Sequence, residues 1–373
     1  MESVAIALNP VIAFVCSWVV FFVLEFKEKK KVVFKFTRCD FFGLILIFLT
    51  TFFLAFNTFN ADYENYGRIY AVYFNESTTG SNFVFGLICG LGNLLKLDYQ
   101  TFRCFLICFG VFSVFHFSRR YSKNVAFMIF LYMIAGFIMD GIQFRQFTAM
   151  GVYLLFLPYL LQDDSKKGKI LYIIGTLIAT GIHTLFVFFF IFLLIKVKKE
   201  NRIKISVAVT LAVIVLFYIL DKVGLLIKYL SYVMPEEKVD LYFLGTQYHS
   251  SPKLVIPFIL LQQVLILVLL LVCYKIGKVR ECDKAFIWSV IGIVILMLCM
   301  CPILFYTLQF RRVFRVVMIP SFIAIYKMTP DKKDVRFLFI VIALIAFSLI
   351  SLNLNLTGNS NLISILVSNN YFW

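Results

Sequence analysis

The sequence predicts an all-α polytopic membrane protein, and three observations carry that expectation. Of its 373 residues, 62% are hydrophobic and only 15% are charged. The apolar residues fall in long uninterrupted runs rather than in stripes of helical period, and the lysines and arginines collect between the runs. A spanning β-barrel would need segments of about 10 residues with alternating polarity. Residues 254–274 show no such alternation, which leaves bundled helices to satisfy every backbone amide inside a bilayer. We therefore expect one integral membrane domain over residues 1–373, with about 11–12 membrane segments, some of them short or re-entrant.

Residues 3–25 form the first crossing. They lack a basic leader and are followed by Lys27, Lys29, Lys30 and Lys31, which argues for a retained helix with its N-terminus outside and against a cleaved signal peptide. Residues 26–40 carry six Lys or Arg and stay inside. Residues 41–56 return to the outer face, where residues 57–82 make a first polar outer loop. The run 83–95 is short for a crossing and holds Gly86, Gly90 and Gly92, so it is expected to be an interfacial or re-entrant helix. Residues 101–117 cross inward to Arg119, Arg120 and Lys123.

Residues 125–162 lie between two basic loops. At about 20 residues per crossing they make a hairpin of two spans, with its outer tip at residues 140–146 and its return at Lys166, Lys167 and Lys169. The run 170–195 is apolar throughout and basic on both flanks, so it must cross twice or not at all. Two α-helical arms of about 13 residues reach only ~20 Å each, against a hydrocarbon core of ~30 Å. We expect a short or re-entrant hairpin broken near Thr180-Gly181, with His183 at its tip. The rival, a single tilted helix, would put 13 of the later Lys and Arg outside against 7 inside.

Residues 205–220 go out, and 221–253 form the largest outer loop, with an interfacial helix of its own near 223–234. Residues 254–274 return to Lys275, Lys278, Arg280 and Lys284. Residues 285–305 exit, 316–326 re-enter, and 337–352 leave again, so that the Asn-rich tail ends outside. In this topology the inner segments hold 25 Lys and Arg against 10 Asp and Glu, and the outer segments 11 against 10. The net charge of +16 therefore follows the membrane and argues against a nucleic-acid partner.

The near balance outside makes the grouping of the few outer charges informative. Arg311, Arg312 and Arg315 put three guanidinium groups into five residues, beside Tyr306, Gln309 and Phe310. Arginine binds phosphate bidentately and stays charged when partly desolvated, so this cluster suggests an anionic ligand, with Arg145 and Arg68 as further outer arginines. Ion pairs with Asp140, Asp62 or Glu64, or contacts with lipid headgroups, are the structural alternative. His183 is the histidine placed at membrane depth on the outer side, and an imidazole exchanges protons near neutral pH. His116 and His249 read as structural or solvated. Asp62, Tyr63, Glu64 and Tyr66 are an acidic-aromatic group suited to sugar hydroxyls and ring faces, and equally to an ordinary loop. Asp140 and Gln143 precede Arg145 by five and two residues and could orient it or cap a helix.

The nine cysteines are scattered, several of them in apolar runs, and read as small buried hydrophobes. Cys299 and Cys301 point to different faces of a helix, which is wrong for a shared metal. There is no phosphate-binding glycine loop, no nucleophile elbow, no His-Glu-x-x-His and no Asp-x-Asp. No cofactor or metal is expected, and the energy source is expected to be the substrate itself.

Four stretches in this order carry a resemblance: Asp62-Tyr63 with Tyr66; Phe144-Arg145-Gln146-Phe147 followed by Ala149; Ala179-Thr180-Gly181-Ile182-His183-Thr184; and Arg311-Arg312-Val313-Phe314-Arg315. On these the chain resembles the EpsG family of Wzy-like polysaccharide polymerases, over nearly its whole length. The doubled Arg311-Arg312 departs from the pattern and leaves open which arginine corresponds to the family's. The resemblance implies a GT-C-like architecture in the bacterial cytoplasmic membrane, with the active site facing outside. It implies that a polyprenyl-diphosphate-linked oligosaccharide is the donor and that a sugar hydroxyl of a second lipid-linked unit attacks. Arg145, Arg311, Arg312, Arg315, Tyr66 and Gln146 would bind substrate, and His183, Asp140 or Asp62 would serve as base. Membrane lipids, a flippase and a chain-length regulator would be its partners. A ligase using the same donor, or a flippase for the lipid-linked oligosaccharide, are the competing readings.

Overall fold

The computed structural model describes residues 10–21, 38–58, 60, 62–72, 82–162, 165–196, 201–225, 228, 255–305, 310–329 and 334–356. Lys27 to Lys31, most of residues 221–253, Tyr306, Gln309 and the residues beyond 356 lie outside them. In chain order the elements are α1 (Pro10–Phe21), α2 (Arg38–Ala55), α3 (Tyr63–Val72), α4 (Phe83–Leu94), α5 (Tyr99–Tyr121), α6 (Val125–Ala135), α7 (Phe137–Ile142), α8 (Phe144–Leu161) and α9 (Lys166–Ile182). A 3-10 helix (Thr184–Lys196) and α10 (Arg202–Lys222) follow, then α11 (Val255–Ile276) and α12 (Glu281–Met297). α12 continues as a 3-10 helix (Leu298–Phe305), and α13 (Arg311–Arg315), α14 (Met318–Lys327) and α15 (Val335–Leu356) end the series.

No strand occurs among the described residues. Five helical stretches are long and apolar enough to cross a membrane: α5, α8, α10, Ile259–Ile276 within α11, and Glu281–Leu304 from α12 into its 3-10 extension. α1, α2, α4, α6, the 3-10 helix Thr184–Lys196 and α15 contain shorter apolar stretches. At ~1.5 Å per residue, the 12 residues of α4 reach ~18 Å, short of a ~30 Å hydrocarbon core.

The run 170–195 resolves its own length problem. α9 starts as early as Lys166, and its 17 residues reach ~25 Å. After a break at His183 the next 13 residues are a 3-10 helix, which rises ~2.0 Å per residue and so reaches ~26 Å. A 3-10 helix repeats every three residues, and Phe186, Phe189, Phe192 and Ile195 form a buried stripe at that period. One ring, that of Tyr153, meets both Tyr172 of α9 and Phe186 beyond the break, at centroid distances of 5.9 and 5.8 Å. The expected hairpin tip at 140–146 is also helical: Gly136 interrupts the first arm, and α7 carries Asp140 before α8 begins at Phe144.

The chain divides into two compact units, Met1–Tyr159 with Lys166–Val187 and Asn355–Trp373, and Leu160–Ser165 with Phe188–Leu354. In the first, α2 packs on α5 and α6, and α4 packs on α9. Trp18 of α1 meets Phe48 of α2 and Phe112 of α5 at 5.4 and 5.0 Å. Small residues let these helices approach, which matters where lipid removes the hydrophobic drive for helix association. A Cβ on Gly110 would come within 2.7 Å of the Phe147 ring, and one on Gly175 within 2.2 Å of Phe156. In the second unit α12 is buried at nearly every position from Phe286 to Met297 and packs against α10, α11 and α14. Arg202 Nη1 donates to Ser289 Oγ at 2.6 Å and Thr210 Oγ1 to the Ile295 carbonyl at 2.9 Å, while Gln262 of α11 bonds Ser351 of α15.

Gly175→Val would force its side chain into Phe156, so we expect it to destabilise the purified protein by about 1–3 kcal/mol. Gly90→Val, where nothing lies within 4 Å of the added Cβ, serves as the matched control; thermal unfolding in detergent reads both.

Candidate functional site

α3 starts just after a turn built by amide side chains. Asn60 donates to Asn57 Oδ1 at 2.9 Å, and its own Oδ1 accepts the Asp62 N–H at 3.1 Å. The Asp62 carbonyl then accepts the Tyr66 N–H. Tyr63 donates to Gln100 Oε1 at 2.9 Å, and Gln100 in turn donates to the Ala55 carbonyl at 2.5 Å. Burial raises the Tyr63 pKa, with Arg103 opposing the rise. Further along, Tyr70 donates to the Leu97 carbonyl and stacks on Phe102 at 4.4 Å. α3 is thus laid along the start of α5, which Asp98 caps by accepting from the Thr101 N–H and hydroxyl at 2.9 and 2.6 Å.

The centre of this arrangement is Arg103, which is fully buried. Its Nη1 donates to the Asn57 carbonyl at 2.7 Å and, at 3.5 Å, to that of Ala55; its Nη2 lies 3.4 Å from the Gly141 carbonyl. The guanidinium also sits over the Tyr63 ring at 5.6 Å. Among the described residues no carboxylate pairs with it. It ties the end of α2, the start of α3 and the residue after Asp140 to one point. The signal for it in the sequence is a lone charge inside an otherwise apolar run, and such a charge inside a membrane segment has a task.

Arg145 is held differently. It is half-buried in the first turn of α8, and its guanidinium lies 5.7 Å from the Tyr66 ring and 5.4 Å from the Phe85 ring. Phe144 braces that pair, with centroids 4.8 Å from Tyr66 and 6.3 Å from Phe85. Aromatic faces hold a cation in place without neutralising it, and among the described residues no carboxylate pairs with Arg145. Phe85 was not a candidate from the sequence, because one phenylalanine among 45 in the chain carries no mark.

His183 joins the same neighbourhood through the start of α4. Gly181 lies against Val84, where an added Cβ would come within 2.3 Å of a methyl group. Thr184 Oγ1 donates to Asn82 Oδ1 at 3.2 Å. Val84 and Phe85 are neighbours, so the first turn of α4 touches the His183 break on one side and the Arg145 cage on the other. His183 closes α9 by donating its N–H to the Ala179 carbonyl at 2.8 Å, and opens the 3-10 helix by accepting the Phe186 N–H at 3.0 Å. Its Nδ1 also accepts the Leu185 N–H at 3.4 Å. Nδ1 is thus the ring nitrogen turned back toward the backbone.

The remaining candidates are distributed as follows. Asp140 is buried and accepts the Tyr132 hydroxyl at 2.6 Å. Gln146 is buried, whereas Asp62 is partly accessible at the start of α3. Arg68 is exposed. The structure therefore gathers Arg145, Tyr66 and His183 around α4, and sets Asp140 back against Tyr132. In the second unit, α13 carries Arg311 and Arg312 half-buried and Arg315 buried. Burial, then the guanidiniums of Arg315 and Arg312, pull the Arg311 pKa down to about 10, a crowding of positive charge that an anion would relieve. Among the described residues no group of three or more His, Cys, Asp or Glu could hold a metal ion.

A family model described as the EpsG family matches residues 40–366, most of the chain. No curated protein matches the sequence. No solved structure matches it either.

The two arginines of the first unit should separate cleanly by stability. Arg103→Ala removes a buried charged donor from carbonyls at two helix ends and leaves a cavity, an expected loss of about 3–5 kcal/mol. Arg145→Ala removes mainly cation–π contacts, an expected loss of about 1 kcal/mol. Thermal unfolding of the two variants in one detergent checks the contrast.

Proposed function

Because this chain belongs to the EpsG family, we propose that it is a polysaccharide polymerase that joins lipid-diphosphate-linked oligosaccharide repeat units by glycosidic bonds at the outer face of the cytoplasmic membrane. Its apolar helices fit a membrane protein. The observation that carries the reading is Arg145, a guanidinium steadied by Tyr66 and Phe85 without a carboxylate partner among the described residues.

In this reaction a sugar hydroxyl attacks the anomeric carbon of the donor, the bond from that carbon to the diphosphate oxygen breaks, and the diphosphate departs with both electrons. Negative charge grows on the phosphates as the bond breaks, and preorganised positive charge stabilises that change. On this reading Arg145 supplies it, binding the diphosphate through a planar fork that lysine does not reproduce. Arg311, Arg312 and Arg315 are a second concentration of charge suited to phosphate, in their own unit.

With its Nδ1 turned to the Leu185 N–H, His183 is read here as a hydrogen-bonding group beside the departing diphosphate rather than as the base. The proton of the attacking hydroxyl then goes to a carboxylate. Asp62 is the accessible one, and Asp140 is already engaged by Tyr132. Tyr66, itself buried, acts on this reading by steadying Arg145.

Two experiments test this reading. Purified protein reconstituted with one lipid-linked repeat unit should yield a ladder of longer products. Arg145→Ala should lower that rate by about 10–100-fold at normal membrane levels, the scale of one or two charge-assisted hydrogen bonds, and an unchanged ladder would sink the assignment. His183→Asn keeps a side-chain acceptor for the Leu185 N–H but has no second ring nitrogen. Activity lost in both His183→Asn and His183→Ala supports the role beside the diphosphate; activity kept in His183→Asn alone makes the residue a cap.

A further inference from the structure

Tyr99 opens α5, and its ring is held between two neighbouring segments. Its centroid lies 5.0 Å from that of Tyr63 and 6.0 Å from that of Tyr70, both on α3, and 6.3 Å from that of Phe144 at the start of α8. A Cβ on Gly67 would come within 3.4 Å of the ring edge, so α3 leaves the ring little room to turn. The hydroxyls of Tyr63 and Tyr70 are used inside the protein, the first by Gln100 and the second by the Leu97 carbonyl. That of Tyr99 is buried and has no hydrogen-bond partner among the described residues.

A buried hydroxyl without a partner costs about 1–3 kcal/mol, and native proteins hold few of them. Packing alone asks only for the ring, which phenylalanine would supply without that cost. The oxygen therefore points to an acceptor met when the site works. Its surroundings limit the choice: Arg103, one turn further along the same face of α5, then Tyr63, Tyr66 and Asp62 all lie within electrostatic reach of it. Arg103 only donates, the tyrosines can do both, and an ionised Asp62 only accepts. The backbone of Asp62 is fixed, its N–H on Asn60 Oδ1 and its carbonyl on the Tyr66 N–H. With the backbone held, the direction of the carboxylate is set by the side-chain torsions and by whatever donates to it.

We propose that Tyr99 is a positioning residue of the outer site, whose hydroxyl donates to the Asp62 carboxylate with substrate in place and aims it at the attacking sugar hydroxyl. This rests on the reading of Asp62 as the group that takes the proton of that hydroxyl. Tyr99 touches no reacting atom; it acts through Asp62. Its ring also bears on Phe144, which braces Tyr66 and Phe85 around Arg145. The direction of the carboxylate and the place of the guanidinium are thereby tied to one set of rings. The buried oxygen is a loss of stability kept for turnover.

The test is Tyr99→Phe in the full-length protein, which removes one oxygen and leaves the ring. Thermal unfolding in detergent should show the variant at least as stable as the parent, because the oxygen it loses had no partner to lose. In the reconstituted ladder assay kcat should fall about tenfold while KM stays within about twofold, the scale of one hydrogen bond to a charged group. Infrared difference spectra against Asp62→Asn, recorded with isotope-labelled aspartate and the lipid-linked repeat unit added, isolate the Asp62 carboxylate stretch. That stretch should shift between the parent and Tyr99→Phe backgrounds. Earlier unfolding of Tyr99→Phe would make the hydroxyl structural and overturn the proposal, and so would full turnover or an unshifted stretch. A parent protein that builds no ladder sinks the polymerase reading instead. In that case a stretch that still responds to Tyr99→Phe supports the contact with Asp62, and one that does not overturns it too.

Discussion

Arg103 donates to the Asn57 carbonyl, reaches toward those of Ala55 and Gly141, and covers the Tyr63 ring, all at zero exposure. Helix ends leave carbonyls without intrahelical donors, and in a dry environment each such group is costly unless something donates to it. A single five-donor side chain answers that need for the end of α2 and for the turn after Asp140. Holding α2, α3 and α7 to one point fixes where α3 runs, and hence where Tyr66 stands. Arg145 can be cradled by Tyr66 only because another arginine has already set the frame.

The frame then passes through α4. Its first turn carries Val84 against Gly181 and Phe85 under Arg145, so a short helix that no single signal marks as functional links the two most suggestive side chains of the unit. The break at His183 is part of the same construction. The chain leaves α9, satisfies its last backbone groups through His183, and continues as a 3-10 helix whose extra rise per residue lets 13 residues cover the distance of 17 or 18. With α-helical rise on both arms the run 170–195 would be short; the 3-10 rise lengthens its second arm, and the stripe Phe186, Phe189, Phe192 and Ile195 marks the face that arm buries.

Much of this was legible beforehand. Long apolar runs bounded by basic clusters report helices in a membrane, because backbone satisfaction and charge desolvation act locally along the chain. The break near Thr180-Gly181 and the shortness of 83–95 were readable for the same reason. The cage around Arg145 was half legible: Tyr66 and Arg145 were both singled out, but Phe85 was indistinguishable from its many neighbours. Asp140 was read as a possible base or cap, and its bond to Tyr132 depends on the break at Gly136 and the short α7, which no pattern of period 3.6 announces.

The sequence by itself determined the class of fold, the break near Thr180-Gly181, the family to which the chain belongs, and the short set of arginines, carboxylates and histidines worth weighing. Only the tertiary structure decided what each of them touches. Arg103 and Arg145 look alike as residues in apolar surroundings, yet one is spent on carbonyls up to 48 positions away and the other is presented on aromatic faces. That difference rests on partners brought together from distant parts of the chain, and periodicity, charge and composition record only what happens within a few turns of a residue.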